Sequence, residues 1–127
     1  MPVSGLPPYD EGNIFARILR GEIPAKTVYQ DEYALAFHDI APQAAVHVLV
    51  IPKGPYVSVA DFSAQAGADA VAGFWRAVAA VAHKLGLEQS GFRVLTNMGH
   101  DSGQEVPHFH VHIFGGQPLG PMLAPRR

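Results

Sequence analysis

The feature that most restricts the fold is the stretch HFHVHIF, His108–Phe114, in which three histidines alternate with apolar residues. Side chains of a β-strand point alternately to its two faces, so this spacing predicts a strand with the histidines on one face and apolar side chains on the other. Histidine has modest β-propensity and is costly to desolvate. Three imidazoles on one face therefore indicate chemistry rather than packing.

The rest of the chain contains more predicted strands than helices. A short helix is predicted between a capping Asp10 and Gly21, and one long helix from Ala68 to Leu85, where apolar residues recur at helical spacing before Gly86. Runs of β-branched and apolar residues predict four further strands at Thr27–Gln30, Tyr33–Asp39, Val46–Pro52 and Phe92–Asn97. The order is not a regular βαβ alternation, which favours an antiparallel α+β domain.

Length and composition limit the organisation and the location. The 127 residues fit one domain, predicted over residues 10–127, whereas the proline-rich residues 1–9 are predicted to form a flexible arm. A net charge of −2 argues against binding to nucleic acid, which needs clustered cations. The chain has no cysteine, no signal-peptide pattern and no apolar run of membrane-spanning length. We therefore expect a cytoplasmic protein that does not enter a membrane.

Two kinds of chemistry explain the alternating histidines. They can chelate zinc or copper together with a fourth ligand, for which the candidates are His47, Asp101 and Glu105. Alternatively, one imidazole is a nucleophile and its neighbours donate hydrogen bonds to an anion. The preceding loop favours the second reading, because Gly99, Ser102 and Gly103 allow backbone N–H groups to face a bound oxyanion.

The residues around this stretch resemble a known family. Gln104–Phe114, QEVPHFHVHIF, is similar to the histidine-triad signature, His-φ-His-φ-His-φ-φ with φ apolar. Gly21–Lys53 resembles the nucleotide-binding half of the histidine triad (HIT) family, and the tail Gly115–Met122 resembles that of its bacterial nucleoside-phosphoramidase branch. The resemblance spans Asn13–Met122, nearly the whole chain.

The resemblance implies a fold, an assembly and an activity. The family fold is a five-stranded antiparallel sheet with one short and one long helix, paired into a homodimer whose sheets join. The implied activity is hydrolysis of purine nucleoside phosphoramidates at the α-phosphorus, through a covalent nucleotidyl-histidine. A purine nucleotide is thus the expected ligand, and neither a cofactor nor a metal is required. By position, His110 is the implied nucleophile, His112 and His47 bind the phosphate oxygens, and His108 supports the site.

The same resemblance implies the nucleotide-binding residues. Asp39 matches the residue that binds the ribose, and a carboxylate can accept two hydrogen bonds from a cis-diol. The residues that match the wall around the purine, called the purine wall below, are apolar: Ile14, Phe15, Ile18, Phe37, Ile40 and Leu49. Four further residues match positions at the nucleotide: Asn97, Gly103, Gln104 and Val106.

Three departures from the family pattern matter for function. Some members carry a zinc site built partly on cysteines where this chain has Asn13–Ala16, so no structural zinc is expected. Glu105 stands where many members have a hydroxyl residue; it is either the acid that protonates the departing amine or a residue that faces solvent. Some members place a tryptophan across the dimer near the substrate, but Trp75 here falls in the predicted long helix.

Two other functions stay open. Dinucleoside polyphosphate hydrolases share the same triad and a preceding glutamine, although the Gly115–Met122 tail favours phosphoramidates. A non-catalytic nucleotide sensor or scaffold would bind purine nucleotides without turning them over.

Overall fold

The computed structural model describes residues 3–125, in which five strands form one antiparallel sheet. The strands are β1 (Thr27–Gln30), β2 (Ala34–His38), β3 (Val46–Pro52), β4 (Arg93–Leu95) and β5 (Val111–Gly115), and their order across the sheet is β1-β2-β3-β5-β4. All neighbouring pairs are antiparallel. The prediction of a five-stranded antiparallel α+β fold is confirmed.

Helices cover the two faces of the sheet. The short helix α1 (Ile14–Leu19) and the long helix α3 (Ala68–Lys84) correspond to the two predicted helices. On one face, α3 and α2 (Val59–Gln65) pack on the main core, where Phe62, Phe74 and Phe109 are almost fully buried. On the other face, Phe15 of α1 packs on apolar residues of β2 and β3. The histidine face of β5 shares this second side.

Two helices were not predicted from the sequence. Helix α2 buries only Phe62, so its sequence has no helical repeat of apolar residues, and it begins instead at a capping box between Ser58 and Asp61. The one-turn helix α4 (Gly99–Ser102) lies inside the predicted loop and ends at Gly103. No helix of residues 3–125 combines the length and the apolar character that a membrane crossing needs.

The predicted N-cap of α1 was wrong. Asn13 caps the helix, because its side-chain oxygen accepts the backbone N–H of Ala16, whereas the carboxylate of Asp10 accepts the N–H of Gly12. The backbone oxygen of Asp10 in turn accepts a hydrogen bond from the Asn13 side-chain amide at 2.7 Å. The helix is thus six residues long rather than about ten, the length that the apolar spacing from Asp10 suggested.

Strand β5 is shorter than predicted at its start. His108 and His110 precede the paired residues, and the backbone N–H of Phe109 bonds to Tyr56 outside the sheet. The alternation continues through this segment all the same, because Phe109, Val111 and Ile113 all join the main core. The three histidines consequently share the opposite side, as the spacing predicts.

Candidate active site

His108 is the most enclosed of the three histidines, with no exposed surface. Its Nε2 lies 3.0 Å from the backbone oxygen of Pro52, at the end of β3. Its Nδ1 lies 2.6 Å from the hydroxyl of Tyr9. A carbonyl oxygen can only accept, so Nε2 carries the proton and Nδ1 accepts the tyrosine O–H. Both ring nitrogens are therefore occupied, which gives His108 a supporting position.

His110 has one ring nitrogen held and one free. Its Nδ1 donates to the backbone oxygen of His108 at 2.7 Å, which fixes the proton on Nδ1. Among residues 3–125 its Nε2 has no hydrogen-bond partner, and no buried side-chain nitrogen or oxygen there lacks one, so this nitrogen reaches the surface. The hydroxyl of Thr96, the residue after β4, donates to the backbone oxygen of His110 at 2.7 Å. The unprotonated Nε2 has the lone pair that a nucleophile needs.

His47 and His112 form a directional relay from the backbone. The N–H of Gln43 donates to Nδ1 of His47 at 3.1 Å, so the proton of His47 lies on Nε2. This Nε2 donates to Nδ1 of His112 at 2.9 Å, which places the proton of His112 on Nε2. The register of β3 and β5 allows the contact, because Leu49 pairs with His112 and His47 with Phe114 on the same face. His112 consequently offers an N–H donor beside His110, with ring centroids 5.0 Å apart.

Burial keeps all four imidazoles neutral. Desolvation lowers the pKa of His108 and of His112 to about 4, and the neighbouring imidazoles His110 and His47 add to the effect at His112. Burial also lowers the pKa values of His110 and His47, while the Asp39 carboxylate partly opposes this at both. The neutral form is the nucleophilic one, so His110 has the protonation state that a nucleophile requires at neutral pH.

Asp39 lies at the edge of this group. One carboxylate oxygen accepts the backbone N–H of Ala41 at 2.8 Å, and the other lies 3.5 Å from Nε2 of His47. Asp39, His47 and His112 each offer a ligand atom within 4.8 Å of the others, a spacing at which a metal ion could be held. In the structure, however, His47 and His112 already use two of these nitrogens on each other. The donor set therefore fits a hydrogen-bond relay at least as well as a metal.

The structure separates the purine wall into buried and exposed members. Phe15, Phe37 and Leu49 belong to one cluster, with Ile18 and Val106 packed against it. Ile14 is 43% exposed and Ile40 is 98% exposed. A cleft of about 390 Å³ beside α1 has Ile18 in its lining but none of the histidines. Apolar surface thus lies beside the histidines, partly packed and partly open.

The loop before the histidines is held by one buried glutamine. The side-chain oxygen of Gln104 accepts the N–H of Gly99 at 3.0 Å, and its amide nitrogen donates to the carbonyls of Val57 and Val106. With 1% of its surface exposed, this side chain organises the loop from within. Glu105, next to it, is exposed, as is Ser102, whereas Asn97 and Gly103 are half-buried. Contacts of these residues with a nucleotide stay predictions.

Several site residues escaped the sequence interpretation. Tyr9, Thr96 and the backbone groups of Gln43 and Pro52 all fix the histidines. Backbone donors and acceptors leave no trace in the sequence. Tyr9 had only a weak signal, an aromatic hydroxyl at the end of a proline-rich segment.

The chain is similar to known proteins over most of its length. Residues 20–119 match the model of the HIT domain family. The chain is 58% identical to an uncharacterized 13.2 kDa HIT-like protein of Azospirillum brasilense over 91% of this chain and 94% of the relative. It is 44% identical to a purine nucleoside phosphoramidase of Escherichia coli over 90% of this chain and 95% of that enzyme.

A solved structure has the same fold. A HIT family hydrolase from Clostridium thermocellum superposes with a TM-score of 0.82 at 36% identity, covering 91% of this chain and 99% of the other. With the family model matched over most of the chain, and the three alternating histidines gathered on one side of the sheet, the protein belongs to the HIT family.

Proposed function

We propose that the protein hydrolyses purine nucleoside 5′-phosphoramidates at the α-phosphorus, through a covalent intermediate on His110. The observation that carries this proposal is the 2.7 Å hydrogen bond from Nδ1 of His110 to the backbone oxygen of His108. It holds the proton on the far side of the ring and leaves a neutral Nε2 able to attack phosphorus. The name of the similar E. coli protein supports the choice of substrate.

The reaction takes two displacements. In the first, the Nε2 lone pair of His110 forms a bond to the α-phosphorus while the P–N bond to the amine breaks, and the amine leaves with a proton taken from the exposed Glu105 or from solvent water. In the second, water attacks phosphorus, the bond to Nε2 breaks, and the nucleoside monophosphate leaves with the proton from water shed to solvent. Two displacements at phosphorus invert it twice, so net retention of configuration is expected.

His112 and His47 stabilise the charge on the phosphate oxygens in this proposal. The relay from Gln43 through His47 gives His112 an N–H on Nε2, which can donate to an oxygen of the pentavalent transition state. The Nε2–H of His112 is oriented before substrate binds, so no free energy is needed to reorient it during the reaction. This local arrangement suits a chain with a net charge of −2 and no need of a metal.

Asp39 and the purine wall bind the nucleoside in the same proposal. The Asp39 carboxylate lies 3.5 Å from His47, so a ribose on Asp39 would bring its 5′-phosphate close to the relay. The exposed side chain of Ile40 follows directly in the chain and could cover the base, opposite the packed Phe15, Phe37 and Leu49. An apolar slot of this kind grips a planar ring.

We also propose a homodimer and a cytoplasmic location. The edge strand β4 supports the dimer, because within residues 3–125 it pairs with β5 alone, and its neighbour Phe92 and its own Val94 are 38% and 37% exposed. A solution mass twice the 13.6 kDa of the chain is expected from light scattering, and a monomer at working concentration would contradict it. Fractionation of cells tests the location.

Trapping the intermediate tests the function most directly. The protein is mixed with an adenosine phosphoramidate, quenched within milliseconds and measured by mass spectrometry. The expected product is protein heavier by one adenylyl group, mapped to His110. His110→Ala should lose the adduct and lower kcat by roughly a thousandfold or more, while it still binds adenosine monophosphate. His100→Ala, which removes an exposed histidine, is the matched control.

The outcomes separate the competing functions. Faster turnover of a dinucleoside polyphosphate would replace the proposed substrate with that class. Tight purine-nucleotide binding without turnover of any nucleotide would favour a sensor or scaffold. Inversion at phosphorus, with no adduct at any quench time, would remove the covalent step.

A further inference from the structure

We propose that Tyr9 is a positioning residue of this active site, and that the segment Val3–Tyr9 braces the histidine segment His108–His112 and the loop before it. The catalytic part of this inference rests on the proposed function. The structural part does not, because it concerns contacts within the chain.

The hydroxyl of Tyr9 completes the hydrogen bonding of His108. It lies 2.6 Å from Nδ1, and the two rings meet edge to face with centroids 5.6 Å apart. The other nitrogen of His108 already donates to Pro52, and the residue has no exposed surface. Without the phenol, Nδ1 would be a buried acceptor with no partner, which is a costly state. The ring would then turn or admit water.

A shift of His108 would reach the nucleophile through the backbone. The carbonyl oxygen of His108 is the group that holds Nδ1–H of His110 at 2.7 Å, so it sets the direction of the reactive Nε2. Phe15 lies against both rings in edge-to-face arrangements, and its ring centroid is 6.3 Å from that of His108 and 5.0 Å from that of His110. Positioning within fractions of an ångström is what a displacement at phosphorus requires.

The segment that carries Tyr9 is anchored on the loop. The backbone N–H of Val3 donates to the carbonyl of Gln104 at 2.8 Å, and the hydroxyl of Ser58 donates to the carbonyl of Gly5 at 2.7 Å. Gly5 is buried and packs so closely that a Cβ there would lie 2.9 Å from the N of Gly99 and from Cγ of Met98. Gln104 and Gly99 are the residues that shape the loop. The segment Val3–Tyr9 thus contacts both the loop and His108.

A segment Val3–Tyr9 held in this way differs from the flexible arm predicted for residues 1–9. Met1, Pro2, Arg126 and Arg127 lie outside the described residues. For Val3–Tyr9, three anchored contacts make the segment part of the site rather than a tether. The experiments below distinguish the two.

The first experiment removes only the phenol oxygen. Tyr9→Phe should lower kcat on an adenosine phosphoramidate on the order of tenfold, with KM changed less than about twofold, since the substrate sites are untouched. In ¹⁵N-histidine-labelled protein, the Nδ1 resonance of His108 should move towards that of a free acceptor. Tyr29→Phe is the matched control, because it removes a phenol that bonds to Asp31 at 2.9 Å outside the site. In Tyr29→Phe, both kcat and the Nδ1 resonance of His108 should be unchanged.

The second experiment tests the role of the segment Val3–Tyr9 without changing Tyr9. Gly5→Ala adds one methyl group against the loop, at a backbone φ of +76°. Gly86→Ala adds it at φ +70° into open space, so the backbone strain is alike and only the contact differs. Gly5→Ala should lower kcat and shift the His108 and His110 resonances; Gly86→Ala should cost stability alone.

Each result decides for or against the brace. A kcat for Tyr9→Phe within about twofold of the unaltered protein overturns it, as does an unmoved His108 resonance or an equal loss in Tyr29→Phe. If Tyr9→Phe does not fold, the comparison of Gly5→Ala with Gly86→Ala decides alone. If the unaltered protein turns over no phosphoramidate, the proposed function fails, whereas the resonances of His108 and His110 still test the brace.

Discussion

Nε2 of His47 lies 2.9 Å from Nδ1 of His112, although 65 residues separate the two histidines in the chain. The backbone N–H of Gln43 sets the proton of His47, and His47 in turn sets the proton of His112. A main-chain group thus decides which nitrogen of His112 carries the proton. The protein needs no extra charge to orient it.

Breaking this relay should weaken catalysis more than binding. His47→Ala leaves Nδ1 of His112 without its donor, so we expect the proton of His112 to redistribute and kcat to fall on the order of 10- to 100-fold. His47→Gln keeps an amide N–H near Nδ1 and should recover part of the loss. Kinetics on an adenosine phosphoramidate and ¹⁵N spectra of His112 check this. Equal activities for the two variants would contradict the relay.

Removing the Asp39 carboxylate should affect the ribose rather than the reaction. Asp39→Asn should lower kcat/KM on the order of tenfold, since charged hydrogen bonds to the cis-diol are lost. A substrate that lacks both ribose hydroxyls should show a similar loss with the unaltered protein and little further loss with the variant. If the loss from the variant and the loss from the modified substrate multiply when the two are combined, Asp39 does not act on the ribose hydroxyls. It would then act on another group, for example on His47.

Glu105 can be tested through the leaving group. If it protonates the departing amine, Glu105→Gln should slow a phosphoramidate of a basic alkylamine on the order of tenfold and leave one of a weakly basic arylamine nearly unchanged. Its exposed position leaves the carboxylate free to turn towards the amine. Glu88→Gln, another exposed glutamate, is the control. If Glu105→Gln and the unaltered protein turn over each substrate at the same rate, Glu105 is not the acid and only faces solvent.

A metal-free mechanism predicts indifference to chelators. We expect full activity after dialysis against EDTA and no stoichiometric zinc or copper in the purified protein by elemental analysis. The three donors Asp39, His47 and His112 make the test meaningful, because they are near enough to bind an ion. Activity lost to EDTA and restored by zinc would return the site to the metal-centre alternative.

Acid should destabilise the fold through His108. Its pKa is lowered by burial to about 4 from 6.5, so the unfolded chain takes up this proton at a higher pH than the folded one. The free energy of unfolding should therefore fall as the pH drops from about 6.5 to 4, by about 3 kcal/mol for this group, and level off below. Urea unfolding at several pH values measures it.

The variant His108→Gln isolates this contribution. It lacks the titrating group, so its stability should fall less between these pH values than that of the unaltered protein. Stability that stays constant, or rises, on acidification would contradict a buried neutral His108.

Much of the fold could be predicted because it follows from short-range patterns. The alternation of His108–Phe114 places the histidines opposite the core whether or not the residues are paired in the sheet. The apolar spacing of Ala68–Lys84 and the following Gly86 define the long helix. Helix α2 lacked such a pattern, and α1 is capped by Asn13 rather than by the predicted Asp10, although both residue types favour that position. Local rules do not choose between them.

What the sequence by itself determined is therefore which residues are the candidates for the chemistry and which side of a strand they occupy, since both follow from residue type and the two-residue repeat of a strand. Only the tertiary structure decided which nitrogen of each imidazole holds its proton. That depends on partners far away in the chain: Tyr9 lies 99 residues from His108, and Pro52 lies 56. Hydrogen-bond direction is a property of groups brought together by folding, and no spacing in the sequence encodes it.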